Sequence, residues 1–300
     1  MRTYLSHLGL IDSQNAEKLA DCTRDRDDIT VWRCPISGLI FLEGGDVKPD
    51  SYYASKTVDY DPNLSVTEAE GVSHATLWQE DDARRAEQFK DQLRGKVWLD
   101  FGAGEGGLVR LMAHKAQKAY AYELNTAQCA RMRANGIAVV DDWQALEDNT
   151  LDVLTLFHVF EHLPRPVEML AELGQKLKPG GTVIVEVPHA NDFLIKQLDC
   201  EPFKRFTFWS EHLVLHTRAS LEAMLRLAGL TDIVVMGAQR YPLSNHLYWL
   251  RHGRPGGHGI WGVIETDEMK RAYAAMLAKI DQTDTLTAVS HRPLSLENRG

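Results

Sequence analysis

Residues with chemical potential concentrate first in residues 97–107, a glycine-rich segment that contains two carboxylates. An apolar run ends in Asp100, and Glu105 stands among the glycines Gly102, Gly104, Gly106 and Gly107. Glycines let the backbone turn sharply between a strand and a helix and approach a ligand closely. The segment also satisfies G-x-G-x-x-G, which dinucleotide-binding enzymes share. Carboxylates at this turn would repel a pyrophosphate, so the acids favour a positively charged ligand.

Acids at two later strand ends extend this pattern. Glu123 ends a predicted strand, 118–123, and lies 19 residues past Gly104, where α/β nucleotide sites place a carboxylate on the ribose hydroxyls. Asp141, Asp142 and Trp143 follow the predicted strand 137–140, and an acid with an aromatic ring suits an adenine. The structural alternatives are a solvated strand end, a surface turn and a glycine turn that binds nothing.

The glycine loop resembles the first motif of class I S-adenosylmethionine-dependent methyltransferases, (D/E)-x-G-x-G. That cofactor carries an ammonium and a sulfonium and no phosphate, in agreement with the acids. The stretch Leu-Asp-Val-Leu-Thr-Leu-Phe-His-Val-Phe-Glu-His-Leu-Pro-Arg-Pro through Leu-Lys-Pro-Gly-Gly is similar to the same superfamily, and the resemblance covers roughly residues 95–235. It implies S-adenosylmethionine as the cofactor. The residues expected to bind it are Asp100, Gly102, Ala103, Gly104, Glu105, Glu123, Leu124, Asp141, Asp142, Trp143, Phe157 and His158.

Methyl transfer needs a positioned acceptor, and a base if the acceptor atom carries a proton. The segment Phe-Trp-Ser-Glu-His-Leu-Val-Leu-His-Thr resembles part of the nucleotide-sugar 3-C-methyltransferases. This resemblance implies that Glu211 and His212 serve the deprotonation; a helix cap is the structural alternative. Further side chains expected to contact the substrate are Tyr53, His162, His189, His216 and His246.

The resemblance implies a sugar or nucleotide-sugar acceptor in carbohydrate biosynthesis. A quinone-type phenol or another small-molecule hydroxyl is the alternative acceptor. Three other classes of function stay open: a NAD-dependent oxidoreductase, a methyltransferase fold without activity, and a metal-dependent hydrolase. The last would use the i, i+4 pairs His158/His162 and His212/His216, although no H-E-x-x-H motif is present.

The sugar-methyltransferase resemblance also bears on residues 31–42, which are similar to a zinc-ribbon relic. A structural zinc site needs about four ligands, usually in C-x-x-C pairs. In the N-terminal part of the chain the only cysteines are Cys22 and Cys34, and their spacing is not that of a C-x-x-C pair. We therefore expect free thiols and no metal.

Between residues 97 and 236 the predicted strands and helices alternate, as in a parallel sheet. We expect an α/β fold: a Rossmann-like, doubly wound, mostly parallel seven-stranded sheet with a small N-terminal β element and a C-terminal extension. The predicted domains are an N-terminal module (1–76), a methyltransferase core (77–250) with a substrate insertion at 188–217, and a C-terminal helix and tail (251–300).

Several local predictions accompany this architecture. Residues 1–20 read as a short amphipathic helix, and residues 51–60, rich in tyrosine, as a lid or packed loop. The helix expected at 77–93 has mixed charges that predict a solvated face. Residues 247–250 read as a strand, and the polar residues 283–300 as a disordered tail.

Composition excludes several classes of protein. The chain has 300 residues, of which 44% are hydrophobic, enough for an ample core. A net charge of −9 and a pI near 5.7 argue against a general nucleic-acid binder. No apolar run approaches the roughly 20 residues of a membrane span, and the first residues lack the apolar core of a signal peptide. Widely spaced cysteines favour reduced thiols in the cytoplasm, and a homodimer is a possible assembly.

Overall fold

The computed structural model describes residues 1–44, 48–55 and 74–294, with side chains from residue 80 onward in the last range. Residues 56–60 of the tyrosine-rich segment and the tail beyond residue 294 lie outside the described residues. The strands are β1 (Glu17–Ala20), β2 (Ile29–Arg33), β3 (Ile40–Gly44), β4 (Val97–Phe101), β5 (Lys118–Tyr122), β6 (Val139–Val140), β7 (Leu151–Phe157), β8 (Leu177–Pro188), β9 (Val214–Leu215), β10 (Thr231–Ala238) and β11 (Thr285–His291). The helices are α1 (Arg2–His7), α2 (Asp50–Ser55), α3 (His74–Gln88), α4 (Lys90–Leu93), α5 (Gly107–Met112), α6 (Thr126–Ala134), α7 (Pro166–Lys176), α8 (Phe193–Lys196), α9 (Glu201–Thr207), α10 (Arg218–Leu227), α11 (Leu243–His252), α12 (Gly257–Ile260) and α13 (Asp267–Lys279).

Seven strands form the main sheet in the order β10-β11-β8-β7-β4-β5-β6, and β11 is antiparallel to both of its neighbours. The central strands β4 and β7 are apolar and almost wholly buried, because helices cover both faces. The expected fold class is confirmed. The carboxyl ends of β4, β5, β7, β8 and β10 meet at one edge of the sheet, which we call the carboxyl edge.

Strand β11 contradicts the prediction of a disordered tail. It lies between β8 and β10 and pairs with both, from Thr285 opposite Pro188 to His291 opposite Thr182. Leu286 and Ala288 are fully buried in the main hydrophobic core. The residues after 283 look polar because threonines and serines alternate with the apolar side chains, an alternation that is typical of a strand.

Two further local predictions were wrong. Residues 247–250 belong to helix α11, whose buried side chains include Tyr248 and Trp249 and which ends at Gly253, at a φ of 67°. In residues 1–20 the helix stops at His7, and residues 17–20 form β1 instead. Short apolar runs do not distinguish helix from strand, so tertiary packing decides.

A second, antiparallel sheet has the order β1-β2-β3-β9. Its last strand comes from the insertion at 188–217, where Ile40 pairs with Leu215 and Phe41 with Val214. Leu5 and Phe41 share one hydrophobic cluster with Leu154 of the main sheet. The N-terminal residues and the insertion therefore pack together on the core. The domain boundaries at 76 and 250 remain proposals.

Candidate active site

The glycine loop after β4 is shaped by positive φ angles, 78° at Gly102 and 55° at Gly104. A Cβ at Gly102 would lie 2.3 Å from Cγ2 of Val159, in the segment after β7. The N–H groups of Gly102 and Ala103 both donate to the carbonyl of Tyr122, at 2.8 and 2.9 Å. The loop is therefore held between the ends of β5 and β7.

Glu123 lies against this loop, as its spacing predicted. Its Oε2 accepts a hydrogen bond from Gly104 N (2.8 Å) and its Oε1 accepts one from Asn125 N (2.8 Å). Leu124, which follows it, is half-buried. The asparagine side chain then caps α6 by accepting from Gln128 N. The carboxylate is thus fixed at the carboxyl edge.

Three carboxyls around the glycine loop are costly to ionise. Asp100 is 4% exposed and accepts from Thr155 Oγ1 at 2.6 Å, and burial raises its pKa to about 7. Burial also raises the pKa of Asp82 to about 6 and that of Glu123 above its ordinary value. A cationic ligand would stabilise their charged forms, whereas a phosphate would oppose them. This chemistry fits an ammonium and a sulfonium.

Three predicted cofactor residues have side chains engaged elsewhere. Glu105 is exposed and lies 3.8 Å from Arg131. The side chain of Asp141 is exposed and pairs with Arg133. Asp142 caps the turn at 143–145 by accepting from Gln144 N.

The two predicted aromatic contacts are also placed in the core. Trp143 is 7% exposed and packs edge-to-face on Phe101, so its ring does not offer the open face that stacking on adenine needs. Phe157 is buried against Phe89, with the Arg85 guanidinium over its ring. Their part in binding the cofactor remains a proposal.

His158 follows β7 in a left-handed conformation, at a φ of 55°. Its Nδ1 lies 3.1 Å from Glu161 Oε1, and its Nε2 lies 3.1 Å from Nη1 of Arg240. An arginine only donates, so Nε2 accepts and Nδ1 carries the proton that Glu161 accepts. Burial and the nearby Arg240 charge hold the pKa of His158 well below its usual range, so the ring is neutral.

A buried ion cluster next to His158 was not predicted. Glu186 at the end of β8 is 0% exposed and accepts from Arg84 (2.9 Å) and Arg85 (2.6 Å) of α3. Burial acts to raise the pKa of Glu186, but the two guanidinium groups outweigh it and lower the pKa to about 2. Asp81, also on α3, pairs with Arg240. The expected solvated face of this helix is therefore partly buried, because its charges find partners on the sheet.

Glu161, His162 and His212 form a third group, which we call the histidine–glutamate cluster. One nitrogen or oxygen atom of each lies within 4.8 Å of the others. Glu161 is fully buried, and its burial raises the pKa to about 8. His212 Nδ1 lies 3.2 Å from the Thr207 carbonyl, so this nitrogen donates and the lone pair is on Nε2.

Glu211 adjoins this cluster along the chain, next to His212. It is 3% exposed and accepts a hydrogen bond from the Tyr52 hydroxyl at 2.9 Å. The next residue, Tyr53, offers its carbonyl to Asn125 Nδ2 at 3.4 Å. Helix α2 therefore connects the insertion with Asn125, two residues after Glu123.

Three predicted substrate contacts are placed in the interior instead. His189 Nδ1 donates to the Thr283 carbonyl (2.9 Å), and His246 contacts the Tyr273 hydroxyl (2.7 Å). His216 is 0% exposed and packs against Phe160. Burial lowers the pKa of His189 and His246 to about 4 and that of His216 to about 3, so all three rings are neutral; their contact with a substrate remains a proposal.

A family model described as "Methyltransferase domain" matches residues 77–235, more than half of the chain. The chain belongs to this methyltransferase family. Its core is that of a class I S-adenosylmethionine-dependent methyltransferase, and S-adenosylmethionine is the cofactor. The prediction of an enzyme of this class is confirmed over the oxidoreductase, hydrolase and inactive alternatives.

Curated relatives of the methyltransferase include ubiquinone biosynthesis O-methyltransferases. The protein of that name from Nitrosococcus oceani is 30% identical over 146 residues, 42% of this chain and 61% of the relative. The one from Vibrio parahaemolyticus is 23% identical over 52% of this chain and 72% of the relative. The chain thus spans about three fifths of the length of the first of these relatives.

Solved structures similar to the methyltransferase show the same fold. A SAM-dependent methyltransferase from Archaeoglobus fulgidus has a TM-score of 0.50 at 16% identity, covering 73% of this chain and 100% of that one. A possible histamine N-methyltransferase from Thermotoga maritima has a TM-score of 0.50 at 16% identity, covering 76% and 95%. These likenesses show the fold; that the glycine loop and Glu123 hold the cofactor remains a proposal.

Proposed function

We propose that this methyltransferase transfers the methyl group of S-adenosylmethionine to a hydroxyl oxygen of a small molecule, with a quinone-type phenol as the acceptor class. The observation that carries the proposal is the position of the histidine–glutamate cluster. Its members Glu161 and His162 belong to the segment after β7, and Val159 of that segment packs directly on Gly102. The similarity to proteins named as ubiquinone biosynthesis O-methyltransferases supports this acceptor class.

S-adenosylmethionine supplies a methyl carbon on a sulfonium, which leaves as a neutral thioether when the new carbon–oxygen bond forms. The acceptor oxygen must lose its proton in the same event. We assign this loss to the histidine–glutamate cluster. His212 is held at Nδ1 by the Thr207 carbonyl, and Nε2 retains the lone pair needed to act on the acceptor hydroxyl.

The acidity of the acceptor favours a phenol. A phenolic hydroxyl has a pKa of about 10, and an imidazole ordinarily has a pKa of about 6.5. The pKa of an alkyl alcohol is much further from that of the imidazole, so a histidine deprotonates a phenol more readily. The surroundings also suit a flat ring, because Trp209 lies edge-to-face with both His212 and His162, at 5.2 and 5.9 Å between ring centroids. Aromatic walls of this kind bind planar ligands.

A sugar or nucleotide-sugar is the second candidate acceptor. It is favoured by the buried Glu211 carboxylate next to His212, which the Tyr52 hydroxyl holds in place. Paired polar groups of this kind suit a ligand with several hydroxyls. The similar curated proteins give this acceptor no support.

The test is a transfer assay with the full chain and S-adenosylmethionine labelled at the methyl group. Acceptors are catechol, a monophenol and a UDP-hexose, each compared with a reaction without acceptor. We expect the label in the methyl ether of catechol or the phenol, with an equal amount of S-adenosylhomocysteine. If only the UDP-hexose carries the label, the acceptor is a sugar and not a phenol. If S-adenosylhomocysteine is released but no acceptor is labelled, both acceptor classes are rejected. The predicted cytoplasmic location and homodimer remain proposals.

A further inference from the structure

Glu161, at the carboxyl edge, is a buried acidic residue whose two oxygen atoms have different surroundings. Its side chain is 0% exposed, and one oxygen, Oε2, has no hydrogen-bond partner within the described part of the chain. The other oxygen accepts from His158 Nδ1 at 3.1 Å. Burial opposes the charged form of this carboxyl, and a cation bound at the unsatisfied oxygen would offset that cost. The arginines of the neighbouring ion cluster are already bound to Glu186 and Asp81.

The groups that do face Glu161 are ligands for a metal ion. One atom each from Glu161, His162 and His212 lies within 4.8 Å of the others. Two ligands of one cation lie at most about 4.4 Å apart, twice a bond of about 2.2 Å. Displacements of the ligand atoms by a few tenths of an ångström would therefore bring the three atoms into one coordination sphere.

The orientation of these side chains agrees with metal binding. His212 donates from Nδ1 to the Thr207 carbonyl, which leaves the lone pair on Nε2. Glu161 is oriented by the His158 N–H, and His158 is in turn fixed by Arg240. Partners that hold a ligand through its other polar atom are the usual support of a metal site.

We propose that Glu161, His162 and His212 bind a divalent transition-metal cation such as Mn²⁺, Fe²⁺, Co²⁺ or Zn²⁺. Two imidazole nitrogens and one carboxylate oxygen favour these ions over Ca²⁺ and Mg²⁺, which prefer oxygen ligands. Three protein ligands leave coordination positions open. The sequence predicted no metal, because Cys22 and Cys34 form no C-x-x-C pair and the histidine pairs lack an H-E-x-x-H motif.

The role that we assign to the cation rests on the proposed function, the methylation of a hydroxyl oxygen. An acceptor hydroxyl that enters the open position would lose its proton to solvent, because a bound cation lowers the pKa of an attached oxygen. His212 then acts as a ligand, and the cluster needs no separate base. Two adjacent hydroxyl or keto oxygens on a ring fit two open positions, so the acceptor is expected to be a catechol-like ring and not a lone phenol.

The binding test uses Co²⁺ alone, because its visible absorption reports coordination by nitrogen and does not require turnover. The full chain is stripped with a chelator and titrated, together with His162→Ala, His212→Ala and Glu161→Gln. The control is His114→Ala, which removes an exposed imidazole far from the cluster in sequence. We expect one Co²⁺ per wild-type chain, affinity at least tenfold weaker in each cluster variant, and no change in the control.

Equal Co²⁺ affinity in the wild type and both histidine variants, or no binding by the wild type, would overturn the cation site. If Glu161→Gln fails to fold, the two histidine variants decide, and their circular dichroism melts show whether they are intact. The proposed function fails separately: a chain that binds Co²⁺ through these residues but methylates no hydroxyl keeps the site and loses the function. If the chelator-stripped enzyme methylates catechol at the wild-type rate, the proposed function is supported and the cation has no role in it.

Discussion

At the scale of single residues, the proposed cofactor site is a loop whose buried carboxyls accept hydrogen bonds from neutral donors. Asp100 is 4% exposed and accepts from the Thr155 hydroxyl. Glu123 accepts from the backbone N–H groups of Gly104 and Asn125. Burial raises the pKa of both acids, so a positively charged ligand beside them would favour their charged forms.

The first residue-scale prediction concerns Glu123. Glu123→Ala removes the acceptor for Gly104 and Asn125 and the expected contact with the ribose hydroxyls. Hydrogen bonds to charged groups contribute about 1.5–3 kcal/mol each and are not additive, so we expect a loss of roughly 2–4 kcal/mol, or about 30- to 700-fold in affinity. Calorimetry with S-adenosylhomocysteine measures it. The exposed Glu147→Ala is the control, and an affinity unchanged in both variants would exclude the assignment.

The second prediction concerns His212, whether it binds a cation or takes the proton itself. His212→Ala is expected to lower kcat at least a hundredfold, since loss of a proton-transfer group costs about 10²–10⁴-fold. Affinity for S-adenosylhomocysteine should stay within a few-fold, because the glycine loop and Glu123 are untouched. Steady-state kinetics on catechol and calorimetry separate the two effects, with His114→Ala as the control. Full activity of His212→Ala would show that the histidine–glutamate cluster does not deprotonate the acceptor through His212.

At the scale of elements, helix α3 is joined to the sheet by charge. Arg84 and Arg85 reach Glu186 at the end of β8, and Asp81 reaches Arg240 just after β10. These contacts link one helix to two strand ends beside His158. The ion pairs add to the apolar contacts of Ala86 in holding this helix on the sheet, so the stability of the arrangement depends in part on the Glu186 charge.

Glu186→Gln tests this dependence. Removing one partner of a buried ion pair costs about 3–5 kcal/mol, so we expect the free energy of unfolding in urea at pH 7 to fall by that amount. The folded pKa of Glu186 is lowered to about 2, so its stabilisation is complete above the unfolded value of about 4.3. It is lost as pH falls towards 2, and the difference between variant and wild type should shrink over that range.

The matched control for this variant is Glu222→Gln on α10, whose partner Arg226 is exposed. Exposed pairs contribute about 0–1 kcal/mol, so this variant should unfold almost like the wild type. Equal losses from both substitutions would show that the ion cluster of α3 is no stronger than a surface pair.

Elements that fold locally could be predicted, and pairings between distant residues could not. Glu123 was found because a strand-turn-helix-strand unit fixes its distance from the glycine loop. Glu161 and His212 are 51 residues apart, and no local spacing brings them together. The charges of α3 looked solvated because Glu186, their partner, lies about 100 residues away in sequence. Only the tertiary fold joins such groups.

At the scale of the whole molecule, the sheet is completed from the far end of the chain. The described helices include none with both the length and the apolar character needed to cross a bilayer. The core identified by the family model ends at residue 235, whereas β11 begins at Thr285 and lies between β8 and β10. Family resemblance therefore marks most of the cofactor site but not the strand that joins the edge strand β10 to the rest of the sheet.

The last prediction follows from that position. A chain cut after residue 283 loses β11, which leaves β8 and β10 without their shared partner and removes Leu286 and Ala288 from the core. Burial of large aliphatic side chains contributes about 1.5–3 kcal/mol each, and an unpaired strand edge promotes aggregation. We expect this chain to be insoluble or to lack a cooperative melt and S-adenosylhomocysteine binding. A chain cut after residue 294 keeps every described strand pairing and should behave as the full protein. A stable, cofactor-binding chain that ends at residue 283 would show that residues 285–291 are dispensable, as expected of a disordered tail.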